Sequence, residues 1–203
     1  MYKRLIQYIE ENNILPEEQS GFRTNRSCRD NIFVLTQLHQ HCKAARRPLF
    51  AAFLDVAKAF DTVDRDLLTL KLLHHNISGR FLATLLSLFK GDQSVVVMGT
   101  DRSQPFPHER GVRQGDPLSP LLYALANNDL LTTATSMSPN GGVSIVEQQR
   151  SLAGLSYADD VVLLADSAEQ LQNLLNGAYY HANQNHYAFN PPKCKVMVVG
   201  CWI

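Results

Sequence analysis

Two adjacent carboxylates, Asp159 and Asp160, stand in the stretch GLSYADDVVLLADS, flanked on both sides by residues that favour strand. The pattern predicts strand, tight turn, strand, with the acidic pair at the tip and Tyr157 and Ala158 just before it. Val161 to Leu164 is an unbroken apolar run, as in a strand buried on both faces. Like charges side by side repel, and a core hairpin gains nothing from them unless a cation neutralises them. Paired carboxylates are hard oxygen ligands of the kind that hold Mg²⁺. A solvated acidic turn is the plain alternative. A third acid, Asp55, closes the apolar run LFAAFL, where a buried strand should end. Phosphoryl transfer assisted by two metal ions about 3.5–4 Å apart calls for several carboxylates converging from different strands. Asp55, Asp159 and Asp160 supply three, provided that one sheet joins them.

The elements that would position these acids follow from periodicity. Apolar residues recur at helical spacing over residues 2–13 and 31–43. Between them lies EEQSGFRTNRSCRDN, with Arg23, Arg26 and Arg29 at spacings of three, which a phosphate-binding loop or a solvated basic face would both explain. Residues 49–56 read as a buried strand ending at Asp55. Asp64 and Ser78 are N-cap residues for helices over 65–75 and 79–90. Asp61 and Asp64 therefore read as turn or capping residues rather than ligands. SVVVM and SQPFPHER form a hairpin around Gly99, the prolines marking the second strand as an edge. Arg113-Gln114-Gly115-Asp116-Pro117 is turn chemistry, followed by a helix to about Ser136 that has Pro120 in its first turn. A strand is expected over 143–150, a helix capped by Ser167 over 167–187, and a last strand within NPPKCKVMVVG.

Composition limits the class. In 203 residues, 45% are hydrophobic and 19% charged, as in globular proteins, and the net charge is zero. Residues 1–50 hold eight Lys and Arg against five Asp and Glu, and the remainder reverses the balance. No apolar run approaches the roughly 18 residues that span a bilayer. MYKRLIQYIEENN lacks the apolar core of a signal peptide, so an intracellular, soluble protein with no membrane partner is expected. Cys28, Cys42, Cys194 and Cys201 show no zinc spacing, and the nearby His39 and His41 read as surface residues.

Five stretches, PEEQSGFRTNRSCRDNIF, AAFLDVAKAFDTVDRDLL, GVRQGDPLSPLLYALA, SYADDVVLLADS and HYAFNPPKCKVM, occur in this order. Together they resemble the reverse transcriptase domain of non-LTR, LINE-type retrotransposons, over residues 14–199. The resemblance implies an α+β fold of right-hand polymerase type, with an antiparallel palm sheet covered by helices on one face. Residues 1–48 and 67–112 would be fingers, and 49–66 and 113–203 palm. It implies RNA-directed DNA polymerase activity on an RNA template and DNA primer with dNTPs, using two Mg²⁺ for which Mn²⁺ can substitute. Asp55, Asp159 and Asp160 would bind metal, with Val56 lending a backbone carbonyl. Phe60 resembles the aromatic gate beneath the incoming sugar, and its plain reading is a core aromatic. Arg23 resembles a triphosphate-gripping fingers residue, and Gln114 and Gly115 the pair that approaches the nucleotide. Tyr157 would lie beside the primer terminus. Lys193, or else Lys195, would protonate pyrophosphate. The stretch after Gly200 is where the family continues into a thumb, so a truncated or domesticated element is expected. A catalytically silent relic that binds nucleic acid or a partner is the alternative. A group II intron maturase shares the palm motifs, but GFRTNRSCRDN and the lack of a maturase extension favour the retrotransposon family. No oligomeric state follows.

Overall fold

The structure is a computed structural model, and it describes residues 1–139, 141–145 and 150–200. Its centre is a four-stranded antiparallel sheet built from β1 (Leu49–Leu54), β8 (Gly154–Tyr157), β9 (Asp160–Ala165) and β10 (Lys195–Val199). The strand order is β10-β1-β9-β8, so the two strands that carry the acids lie side by side in the middle. Register pairs Phe50 with Ala165 and Leu54 with Val161.

Alternation along β1 divides the core. Ala52 and Leu54, with Val161 and Leu163 opposite, pack on α7 (Leu130–Ser136) and α8 (Ala168–Gln184). Leu49 and Ala51, with Val162 and Leu164, pack on Leu38 and Cys42 of α2 (Cys28–Ala44). The sheet is therefore covered on both faces over this part, where helices on one face alone were expected. The continuous apolar run of β9 is the reason, because each of its faces needs a cover. On the α2 side the cover stops short. Phe53 is 39% exposed, so the sheet face opens just before Asp55.

A second core is built by α1 (Tyr2–Glu11), α3 (Ala59–Thr62), α4 (Arg65–His74), α5 (Gly79–Phe89) and α6 (Ser119–Ala126), around Leu5, Ile9, Leu68, Leu72, Leu121 and Leu125. Asp64 caps α4 by accepting from the N–H groups of Asp66 and Leu67, and Ser167 caps α8 by accepting from Gln170. Ser78 stands at the N-cap of α5 but makes no side-chain bond there. Helix α2 begins one turn earlier than its apolar period, because the Asp30 carboxylate accepts from the Ser27 N–H at 2.6 Å.

The helix expected to run unbroken to Ser136 is two helices. Asn127, Asn128 and Asp129 interrupt it, residues whose short polar side chains compete with helical backbone bonds. The Asp129 carboxylate accepts from Lys71 at 2.6 Å and from the buried His181 at 2.9 Å, tying both cores together at the break. Around Gly99 the hairpin forms as two short ladders, β2 (Gln93–Ser94) with β5 (Phe106–Pro107) and β3 (Val97–Met98) with β4 (Asp101–Arg102). Within the strand expected over 143–150, β6 (Val143–Ile145) pairs with β7 (Arg150–Leu152), and residues 146–149 lie outside the described residues. Among the described residues, no helix is long and apolar enough to cross a membrane.

Candidate active site

The hairpin of β8 and β9 turns through Ala158 and Asp159, since Tyr157 pairs with Asp160. Ala158 has a φ of 60° and Asp159 does not share the positive sign, the II′ pattern of two-residue hairpins. Extending the β1–β9 register by one residue puts Asp55 opposite Asp160. Both belong to the α2 side of the sheet, beyond Phe53, where that side is open. Asp55 is held from the other flank as well. Its N–H donates to Cys194 Sγ at 3.4 Å, and its carbonyl accepts from Asn190 N–H at 2.8 Å. Val56, itself buried, continues this pairing as an antiparallel bridge to Phe189.

The acids interact. Partial burial, and then the charges of Asp159 and Asp55, push the Asp160 carboxyl up from its ordinary range. The buried Tyr123 phenol is pushed up by burial, and next by Asp159, so α6 faces the same cluster. Lys193 Nζ lies 3.5 Å from Asp55 Oδ1 but is largely exposed, so it neutralises the group only weakly. Lys195 instead donates to the Pro192 carbonyl at 3.1 Å.

Among the described residues, no three Asp, Glu, His or Cys side chains close into a ready-made metal cage. The donor set still suits a divalent ion. It is all carboxylate, it sits at an open sheet end, and partial burial, then the charges of Asp159 and Asp55, raise the Asp160 carboxyl, an effect that a bound cation would offset.

Phe60 follows Lys58, whose φ of 51° starts the short helix α3. The Phe60 ring stacks on Tyr123 with centroids 5.2 Å apart and planes 19° from parallel. Its carbonyl accepts from Val112 N–H at 2.8 Å, and Gly111 N–H donates to Val63 O at 2.8 Å. A side chain at Gly111 (φ +83°) would come within 2.8 Å of the Asp61 Cα, so glycine is needed for this approach. The loop bearing Gln114 and Gly115 thereby begins on the residue that carries the aromatic ring. Gly115 has a φ of +89° with open space on its Cβ side.

Arg23 does not sit as expected. Its side chain is 5% exposed and donates to Glu10 at 3.0 Å and to the Pro16 carbonyl at 3.0 Å. That guanidinium is committed to a buried ion pair. The Arg23 hydrogen bond, opposed by burial, holds the Glu10 carboxyl below its usual range. Arg26 is engaged too, by Glu17, which leaves Arg29 exposed on α2.

The sequence matches the family described as reverse transcriptase (RNA-dependent DNA polymerase) over residues 1–201. The chain belongs to this family. Among curated relatives, the "Retrovirus-related Pol polyprotein from type-2 retrotransposable element R2DM" of Drosophila melanogaster is 29% identical over 177 residues. That match covers 87% of this chain and 16% of the relative. The "Probable RNA-directed DNA polymerase from transposon BS" of the same organism is 30% identical, covering 81% of this chain and 17% of the relative. The chain thus spans less than a fifth of the length of these two. The non-LTR character read from the motifs agrees with relatives that also include the mobile element jockey of Drosophila funebris. Among solved structures, the telomerase of Candida albicans, in complex with a fragment of telomeric RNA, superposes with a TM-score of 0.73. Identity there is 12%, and the match covers 97% of this chain and 35% of that one, so the likeness is one of fold.

This reverse transcriptase domain has further site-building residues that motif reading passed over. Tyr123 lies in LLYALA and reads by period as a core residue, which it also is. Asp92, 4% exposed at its side chain, binds Arg65 at 2.9 Å and Arg113 at 2.5 Å, anchoring the Arg113–Gly115 turn. Nothing in Lys90-Gly91-Asp92-Gln93-Ser94 marks it, because its partners Arg65 and Arg113 stand 27 and 21 residues away in the sequence.

Proposed function

We propose that this chain carries the nucleotidyl-transfer centre of an RNA-directed DNA polymerase, extending a DNA primer on an RNA template with dNTPs. One observation carries the reading: the β1–β9 register, extended by one residue, sets Asp55 opposite Asp160 at the open end of one antiparallel sheet, with Asp159 in the adjoining turn. The names of the relatives support the activity, and a telomerase solved with telomeric RNA supports a nucleic-acid template. The reverse transcriptase family works with divalent ions, and the all-carboxylate set favours Mg²⁺, with Mn²⁺ able to replace it. Such ions, when bound, polarise phosphoryl oxygens and lower the pKa of the primer hydroxyl.

The protein's own groups do the rest. Asp55, Asp159 and Asp160 hold the ions, with the Val56 backbone beside them. Phe60, braced against Tyr123, limits the space under the sugar and so disfavours a 2′-hydroxyl. Gln114 and the bare backbone of Gly115 line the nucleotide side, and Tyr157 the primer side. Lys193 is better placed than Lys195 to give a proton to the departing pyrophosphate oxygen, because Lys195 is turned to Pro192. Residues 1–48 and 67–112 act as fingers, and 49–66 and 113–203 as palm. A silent relic is the weaker reading, since Asp55, Asp159 and Asp160 are all present at the ends of neighbouring strands.

The test is extension of oligo(dT) on poly(rA) by the purified chain with Mg²⁺, alongside Asp159→Asn. Metal-dependent extension abolished by the substitution is expected. Extension unaffected by the substitution, or none at any metal concentration, would refute the proposal.

A further inference from the structure

The segment Glu18–Gly21 lies against the outer edge of the hairpin and grips its turn. Ser156 N–H donates to Glu18 O at 2.8 Å, and Ser20 N–H to Ser156 O at 3.0 Å, so the segment runs parallel to β8. This puts the Gln19 side chain, 5% exposed as a residue, on Ala158. Its Oε1 accepts from Ala158 N–H at 3.0 Å, and its Nε2 donates to Ala158 O at 3.3 Å. A second donor, Gly21 N–H at 2.7 Å, fixes which end of the amide is oxygen, since both backbone groups facing it are donors.

The geometry is specific to this turn. Ala158 is the first central residue of a two-residue hairpin, with a φ of 60° that non-glycine residues resist. The ladder does not use its N–H and C=O, and at 9% exposure water reaches it poorly. One primary amide answers both groups. The approach depends on Gly21 as well, because a side chain there would overlap Ala158 N and lie 2.9 Å from Ala158 Cα. The next two residues are Asp159 and Asp160. We infer that Gln19, admitted by Gly21, is a positioning residue that sets where these two carboxylates stand and so tunes metal affinity. It acts through Ala158 and touches no metal. The inference rests on the metal-binding role proposed above for the acids.

It is tested by Mn²⁺ binding to the whole chain, followed by electron paramagnetic resonance without substrate. Gln19→Met keeps the length and loses the hydrogen bonds, and should weaken binding about tenfold, the effect usual for groups that orient metal ligands. Gly21→Ala should do the same. Glu10→Gln loosens this segment through Arg23, away from the turn, and should leave the affinity unchanged with all variants folded by circular dichroism. In single-nucleotide addition, Gln19→Met should lower kcat with the dNTP KM little changed. Wild-type Mn²⁺ affinity in Gln19→Met, or an equal loss in Glu10→Gln, overturns the inference while leaving the acids' role intact. Binding that is absent in the wild type, or indifferent to Asp159→Asn, overturns both.

Discussion

Replacing Asp92 by asparagine is expected to cost about 3 kcal/mol, the low end of the range for breaking a buried ion pair. The carboxylate is 4% exposed at its side chain, and Arg65 beside it is 11% exposed. Arg65 also donates to Gly111 O at 2.8 Å and His108 O at 2.6 Å, and lies 4.6 Å over the Phe89 ring. It cannot retreat to water when its counter-charge is removed. Asparagine still offers one acceptor oxygen, which keeps the loss from reaching the top of the range. Arg113, on the other oxygen, is 52% exposed, so Arg113→Ala should cost only about 0–1 kcal/mol. Urea denaturation measures both. For a chain of this length, Asp92→Asn should also lower Tm by about 6–12 °C. Nucleotide binding should weaken in both variants, because each frees the Arg113–Gly115 turn. Asp92→Asn within about 0.5 kcal/mol of wild type, or Arg113→Ala costing as much as it, would show that the hub is not a buried pair in solution.

Two more expectations follow. Phe60→Val should raise ribonucleotide use relative to deoxyribonucleotide in primer extension, at a stability cost of about 2 kcal/mol, less than a fully buried phenylalanine because the ring is half-buried; equal losses for both nucleotides would mean a core role only. Burial would raise the Asp129 carboxyl, but hydrogen bonds from His181 and Lys71 outweigh it and hold the group well below its usual range. A carboxyl depressed in the folded state contributes stability above its unfolded value near pH 3.9, and that stability is lost as pH falls below it. Asp129→Asn should therefore lower stability at neutral pH and flatten the acid limb of the stability–pH curve between about pH 4 and 2. An unchanged acid limb would contradict this.

The sheet and its acids were readable because their signals are local and strong. An apolar run ending at Asp55, and another beginning after Asp160, mark two strand ends whatever lies between them. Capping at Asp64 and Ser167 is likewise a one-turn signal. The helix break at Asn127–Asp129 was less legible, because its local signal, three short polar residues, is weak and the contacts that fix it are tertiary: Asp129 accepts from Lys71 and His181, residues distant in the chain. Arg23 shows the same limit more sharply. A guanidinium in a polar, glycine-containing stretch has the composition of a phosphate site, and nothing nearby announces that Glu10, on the preceding helix, will take it. The same motif that misplaces Arg23 holds Gln19 and Gly21, whose part depends on a turn far along the chain. A buried glutamine beside a glycine has no pattern of its own; it acquires meaning only when Ala158, in a strained conformation, presents the two backbone groups that an amide can answer.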